Sequence, residues 1–301
     1  MRIVIALGGN ALLRRGEPPD AAVQLAHLEA AAPALAKIAA DHEVVIVHGN
    51  GPQVGLLALE SLADHALSRS YPLSDLVAET QGMIGYWIQQ TLANAGLTKP
   101  VITLVTQTVV DSNDPAFAEP SKFIGAGYPE AEARKLAGQN SWTVHQDGNS
   151  WRRVVASPSP RRVVELETAQ TLLQHRTTVV LAGGGGIPVT EGPSGRHGID
   201  AVVDKDLTAA LIATDLKADL LVMLTDVKAV FLDFGTPSER PLHHITLADL
   251  TDLTFPPGSM GPKVAAARQF VQDTHGRAAI GSLDDATTVI AGSTGTQLTA
   301  A

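Results

Sequence analysis

Thr177–Val189 reads TTVVLAGGGGIPV, an apolar β-branched run that breaks into four consecutive glycines and a proline. Val179, Val180 and Leu181 are apolar at successive rather than alternate positions, the pattern of a strand buried on both faces in a parallel sheet. Gly183, Gly184, Gly185 and Gly186 then supply backbone without Cβ atoms, which can take φ > 0 and admit another group within van der Waals distance. Such a turn is either a tight chain reversal or a loop presenting N–H groups to an anion. Four glycines directly after a strand favour the ligand loop.

The pattern recurs upstream. Arg2–Leu7 (RIVIAL) runs into Gly8-Gly9-Asn10, and Glu43–His48 (EVVIVH) runs into Gly49-Asn50-Gly51-Pro52. Between them, Asp20–Ala40 repeats apolar residues at helical spacing (Val23, Leu25, Leu28, Leu35, Ile38), and helical patterning resumes over Gln53–His65 and Leu73–Ala95. Val101–Val110 (VITLVTQTVV) predicts a fourth strand. Strand, glycine turn and helix in alternation predict an α/β fold with a mostly parallel sheet covered on both faces. Asp111–Pro160 is rich in Pro, Gly, Ser, Asn and charge, with a short helix at Glu130–Leu136 as its main core signal. It predicts a protruding subdomain or lid.

Beyond the lid the patterns predict helices at Val163–His175 and Asp206–Lys217 and strands at Asp219–Leu224 and Val227–Leu232. A short helix near Leu247–Leu253, a helix over Pro262–Thr274 and strands at Ala278–Ser282 and Thr287–Ala291 follow. The two halves divide near Val163–Thr177, giving 1–170 (with the lid at about 111–160) and 171–301.

Composition narrows the partners. Of 301 residues 45% are hydrophobic and 18% charged, which excludes wholesale disorder. The formal net charge is −9 with the basic residues scattered, so neither nucleic acid nor an anionic membrane is an expected partner, while a local phosphate site is compatible. There is no cysteine, which removes disulfides, thiolate metal sites, iron–sulfur clusters and cysteine nucleophiles. Arg2–Leu7 is too short and too early for a signal h-region, and no apolar run reaches membrane-spanning length. The expectation is a cytoplasmic chain acting on small molecules.

Lysine is scarce, with eight in the chain. Lys122 lies in the lid loop Glu119-Pro120-Ser121-Lys122-Phe123-Ile124-Gly125. Lys205 stands between Asp204 and Asp206 at a helix start. Lys263 follows Gly258-Ser259-Met260-Gly261-Pro262, with Pro262 expected as the first helical residue. A cation in a first helical turn opposes the macrodipole by up to about 1 kcal/mol; either these lysines are solvated, or an anion shares their site. Asp204 is a natural N-cap. Asp206 either complements the dipole or holds two ammonium groups in register around a phosphoryl group.

Asn10 and Asn50 are turn residues that also fall at the carboxyl ends of strands, where ligands of parallel sheets bind. His48 and the pair His243-His244 read as structural and surface residues. Trp151-Arg152-Arg153 offers either solvated arginines or a clamp for an anion. No GxGxxG follows a strand and no Walker A sequence occurs, so a bound nucleotide would use another architecture.

Taken together, ALGGNA (Ala6–Ala11), HGNGPQVG (His48–Gly55), QGMIGYW (Gln81–Trp87), PSKFIG (Pro120–Gly125), WRRVVASPSP (Trp151–Pro160), GGGGIPV (Gly183–Val189), VDKDL (Val203–Leu207), LTDV (Leu224–Val227) and PGSMGPK (Pro257–Lys263) resemble the carbamate kinases of the amino-acid kinase superfamily. The likeness runs nearly end to end. It implies a three-layer αβα sandwich, an N-terminal lobe for carbamate and its phosphate, a C-terminal lobe for ATP or ADP, and a homodimer. It also implies reversible phosphoryl transfer between ATP and carbamate, run towards ATP, in arginine metabolism, with Mg²⁺ carried mainly by the nucleotide phosphates.

Position by position, the resemblance assigns catalysis to Lys122, Lys205, Asp206 and Lys263. It assigns substrate and phosphate binding to Gly8, Gly9, Asn10, Gly49, Asn50, Gly51, Arg152, Gly183, Gly184 and Gly185. Nucleotide contacts fall on Thr225, Asp226, Val227 and Met260 together with Lys205 and Lys263. Elementary chemistry agrees: a carboxylate-type nucleophile is already an anion and needs no general base, so the site must chiefly neutralise approaching negative charge.

The lid departs from the family. Where KPIGPF is usual, this chain has Lys122-Phe123-Ile124-Gly125-Ala126-Gly127, with two prolines lost, which predicts a more mobile lid. Gly148-Asn149-Ser150 replaces glycine-arginine-glycine, and Ala156 replaces a proline. These changes admit a kinase of the same superfamily acting on another small acid or phosphate. A non-catalytic sensor of nucleotide or carbamoyl phosphate is a further reading, opposed by retention of all three lysines and Asp206.

Overall fold

The computed structural model describes residues 1–301 apart from 10, 11, 15, 252 and 256–259. The first half runs β1 (Arg2–Leu7), α1 (Ala21–Asp41), β2 (Glu43–His48), α2 (Gly51–Ala63), α3 (Leu73–Asn94), β3 (Val101–Thr103) and β4 (Gln107–Val109). The segment expected as a lid contributes β5 (Lys122–Tyr128), α4 (Glu130–Asn140), β6 (Thr143–Asp147) and β7 (Ser150–Val155). Then come β8 (Arg162–Val163), α5 (Leu166–Gln174), β9 (Thr178–Val180), β10 (Ile187–Gly192), β11 (Gly195–Gly198) and α6 (Lys205–Asp215). The chain ends with β12 (Leu220–Thr225), β13 (Val230–Leu232), β14 (Arg240–Leu242), β15 (His244–Thr246), α7 (Met260–Thr274), β16 (Arg277–Ser282), α8 (Ala286–Ala291) and β17 (Thr296–Thr299).

The apolar runs assemble into one eight-stranded sheet in the order β15-β17-β16-β12-β1-β2-β9-β3. All its pairings are parallel except β16–β17. Successive residues of β1 serve opposite faces, as strand geometry requires. Ile3, Ile5 and Leu7 pack with α1, α3 and α8 through Leu28, Leu35, Ile84, Ile88 and Val289. Val4 and Ala6 pack with α5, α6 and α7 through Leu173, Ile212, Ala267 and Phe270. The result is the expected αβα sandwich. β9 sits between β2 and β3, so the tetraglycine turn follows a strand of the first half of the sheet.

Four expectations are corrected. Val101–Val110 is not one strand: β3 edges the main sheet, while β4 joins β10, β11 and β8 in a second sheet. The break is made by Gln81, whose side-chain oxygen accepts from Thr106 N at 2.7 Å while its amide donates to Thr106 O at 3.1 Å. Thr287–Ala291 is helical, because Ala286, Val289 and Ile290 form one buried face at i, i+3, i+4; the terminal strand is β17. Where a short helix was expected near Leu247–Leu253, residues 247–251 form turns, anchored by buried Leu250 and by Asp249 accepting from Thr246, and residue 252 lies outside the described residues. Helix α7 also begins at Met260, earlier than the Pro262 expected.

The lid segment has a sheet of its own, ordered β5-β7-β6 and antiparallel throughout, with α4 packed on it. It meets the body along α2. A Cβ added to Gly55 would lie 2.1 Å from the Cα of Gly125, so the two backbones touch where only glycine fits. Ile124 plugs the adjacent apolar patch with Val54, Ala58, Leu76, Val77 and Val202.

Candidate active site

Parallel strands deliver their carboxyl ends to one edge of the sheet, and the turns after β1, β2, β9 and β12 meet there. Gly8 N donates to Leu224 O at 2.8 Å, joining the turn after β1 to the end of β12. A Cβ on Gly49 would lie 3.0 Å from Gly9 N and 3.4 Å from the Lys205 side chain, so those turns and the start of α6 are in contact. Thr225 closes β12 beside Gly8, with its hydroxyl donating to Asp226 at 2.9 Å, and Val227 follows. Helix α2 begins at Gly51, immediately after Asn50. The N-termini of α2 and α6 therefore bring positive dipole ends to this edge.

The tetraglycine turn is wholly buried. Gly184, Gly185 and Gly186 have φ of 67°, 91° and 89°, and Cβ atoms on Gly183 and Gly184 would lie 2.2 Å from His48 Nε2 and from Asn50 Nδ2. Its carbonyls are held from three directions: Gln81 donates to Gly183 O at 3.0 Å, and Thr108 and Thr208 donate to Gly185 O at 2.8 and 3.0 Å. Asn50 is buried and donates to Thr80 at 2.8 Å. His48 is buried too, its Nδ1 on Gly49 O and its Nε2 unpartnered, and burial lowers its pKa to about 4. The ring is neutral near pH 7.

The lysines converge. Asp206, its side chain only 5% exposed, places Oδ1 2.6 Å from Lys205 Nζ and Oδ2 3.1 Å from Lys263 Nζ. Asp204 caps α6, accepting from Asp206 N at 2.9 Å and Leu207 N at 3.3 Å, and its other oxygen pairs with Lys122 at the start of β5. Three ammoniums and two carboxylates from three separate elements thus form one cluster. Burial would raise both aspartate pKa values, but the lysines outweigh it: Lys122 and Lys205 hold Asp204 well below the usual carboxylate range, and Lys205 and Lys263 depress Asp206. Burial pulls Lys205 down, opposed by Asp206. The carboxylates are ionised, and the three lysines outnumber them in the cluster.

Other expected site residues distribute as follows. Met260 opens α7, three residues before Lys263. Arg152 lies away from the lysines, donating to Asp147 at 2.9 Å and to Gly125 O, with its guanidinium 5.6 Å from the Phe123 ring. Asn10 lies outside the described residues. Asp204 emerges as a fifth member of the cluster. The Asp-Lys-Asp run was the available signal, but the capping role accounted for Asp204 alone. Among the described residues no three His, Asp or Glu side chains gather as a metal site, and no helix is long and apolar enough to cross a membrane.

A cationic, backbone-lined crevice at the switch edge of an αβα sandwich defines a phosphate-handling enzyme. The amino acid kinase family model matches residues 1–282, and the chain belongs to that family. Its curated relatives include the carbamate kinase of Rhizobium meliloti, 50% identical over 98% of this chain and 92% of the relative, and that of Haemophilus influenzae, 48% identical over 99% and 97%. Among solved structures, carbamate kinase from Giardia lamblia bound to citric acid aligns with a TM-score of 0.92 at 38% identity, covering 99% of this chain and 98% of that one.

Proposed function

We propose that the protein is a carbamate kinase, transferring a phosphoryl group between ATP and carbamate and used chiefly to make ATP from carbamoyl phosphate. The observation that carries the reading is Asp206 bridging Lys205 and Lys263, with Lys122 on the neighbouring Asp204, at the meeting of the glycine turns. In the ATP-forming direction an oxygen of the ADP β-phosphate attacks the phosphorus of carbamoyl phosphate. The bond from phosphorus to the carbamate oxygen breaks, and that oxygen leaves with the electron pair as carbamate. Both nucleophile and leaving group are anions, so no proton need move; neutral, buried His48 is not required as a base.

Lys122, Lys205 and Lys263 neutralise charge on the transferred group and the bridging oxygen, and Asp206 keeps two of them apart and in register. Residues 1–170 hold the acid and its phosphate through Gly8, Gly9, Asn10, Gly49, Asn50 and Gly51, joined by the tetraglycine turn that β9 brings to the same edge from the second half of the chain. Residues 171–301 hold the nucleotide, through Thr225–Val227 and Met260. Mg²⁺ would be carried by the nucleotide phosphates, where it would neutralise phosphate charge, a role suited to an ion that keeps its waters and takes few protein ligands.

The altered lid does not favour another acceptor in particular, since Phe123 packs against Arg152 within the small sheet. We place the enzyme in the cytoplasm, in arginine metabolism, as a homodimer. The dimer reading rests on edge strand β3 and on α3 packed against it, where Tyr86, Ile102 and Val105 are exposed apolar side chains. ATP formation from ADP, Mg²⁺ and carbamoyl phosphate tests the function. Turnover in the wild type that collapses in both Lys122→Ala and Lys263→Ala is the expected result; ADP binding without turnover would sink it.

A further inference from the structure

Asp204 holds two elements together with its two oxygens. One is fixed by the helix, accepting from Asp206 N and Leu207 N, so the direction of the other is set by the first turn of α6. That second oxygen receives Lys122, the first residue of β5, and the Asp204 side chain is 11% exposed. The rest of the junction is mainly apolar and backbone, with Arg153 of β7 the further charged side chain beside it, attracted by Asp200 of the body rather than by α6. Val202 N donates to Ala156 O at 3.0 Å, Ile124 and Val155 pack on Val202, and Gly55 touches Gly125. Among the described residues, Lys122–Asp204 is the ion pair that ties the small sheet to α6. Lys205 and Asp206 belong to the same helical turn, and Lys263 reaches that turn through Asp206. Every cation of the cluster is therefore referenced to three consecutive residues, 204–206.

We infer that Asp204 is a positioning residue: its carboxylate registers the lid lysine Lys122 to the first turn of α6 and couples the position of the small sheet to the catalytic cluster. This rests on the phosphotransfer reading for its kinetic consequence, but not for its structural one. A cap alone would be served equally by asparagine, which retains an acceptor oxygen and caps a helix as well as aspartate. Holding an ammonium is a charge-assisted task that asparagine performs poorly.

The experiment uses the full chain with Asp204→Asn and, because it leaves α6 untouched, Lys122→Gln. Hydrogen exchange of residues 122–128 is measured without substrate, alongside thermal unfolding and steady-state kinetics towards ATP. Expected are exchange faster by about tenfold in both single variants, with no further change in the double variant, because both remove one interaction. For Asp204→Asn, kcat/KM for carbamoyl phosphate falls by at least about tenfold while the KM for ADP stays put, a split that loss of the cap would not produce.

Wild-type exchange and kinetics in Asp204→Asn would overturn the inference and leave Asp204 as a cap. Additive effects in the double variant would likewise overturn it, since the two residues would then act separately. Absence of turnover in the wild type would sink the phosphotransfer reading instead, and the exchange result would still decide whether the pair positions the small sheet.

Discussion

Both ends of the main sheet gather cationic side chains, and they do so for opposite reasons. At the amino end, Lys99, Arg176 and Lys217 line a cavity of about 530 Å³ with Asp41, Glu43 and Asp219. Helices α1, α5 and α6 end there, so the cations face negative dipole ends. Lys99 completes two of the carbonyls left over at the end of α1, donating to Ala39 O at 2.8 Å and His42 O at 3.1 Å. Nothing further is needed to explain them. At the carboxyl end, Lys205 opens α6 and Lys263 lies in the first turn of α7, where the dipole repels them. They stay because buried aspartates hold them. A cation that helix electrostatics alone would expel marks where an anion belongs; a cation that they attract does not.

Removing the carboxylate that opposes this repulsion should have the largest effect. Asp206→Asn leaves two buried ammoniums facing each other and should lower unfolding stability by about 3–5 kcal/mol in denaturant titrations; a loss below about 1 kcal/mol would mean the lysines are not confined as the distances imply. Next, Lys263→Ala should slow turnover by two to three orders of magnitude, about 3–4 kcal/mol of barrier, while Lys217→Ala at the other end leaves kcat unchanged. Comparable losses from both would erase the distinction between the ends.

His48 gives the next test. Its folded pKa of about 4 lies below the ordinary 6.5, so the unfolded chain takes up a proton first as pH falls. The stability it contributes is complete above pH 6.5 and declines as pH drops towards 4, by about 3 kcal/mol in all. NMR titration of the ring checks this, and a midpoint at 6 or above would refute it. The smallest effect belongs to Lys99→Met, with a loss of about 1 kcal/mol in stability and none in turnover.

Much of this was legible in the residues. Runs such as Arg2–Leu7 and Glu43–His48 have one physical use, a strand covered on both sides, and lysines flanked by acids or glycines were conspicuous in a lysine-poor chain. What escaped depends on partners distant in sequence. Val101–Val110 looks like one strand until Gln81 breaks it at Thr106. Thr287–Ala291 is β-branched, yet its helical face fits the sheet. Four glycines in a row read as a ligand loop. A second demand on the same glycines, positive φ values and crowding by His48, Asn50 and Thr108, is one that no inspection of the run itself reveals. Asp204 was hidden differently, because one sufficient role concealed a second.

Mechanically, the main sheet is a beam of eight strands that runs unbroken across the molecule. β1 is laced to β2 over six residue pairs and to β12 over five. Pulling the two halves of the sheet apart would shear this lacing, whereas the small sheet rests on α2 where Gly55 meets Gly125, with Ile124 seated beside them among Val54 and Ala58. A single methyl group at Gly55 would act as a wedge, levering the small sheet off α2 without touching a lysine.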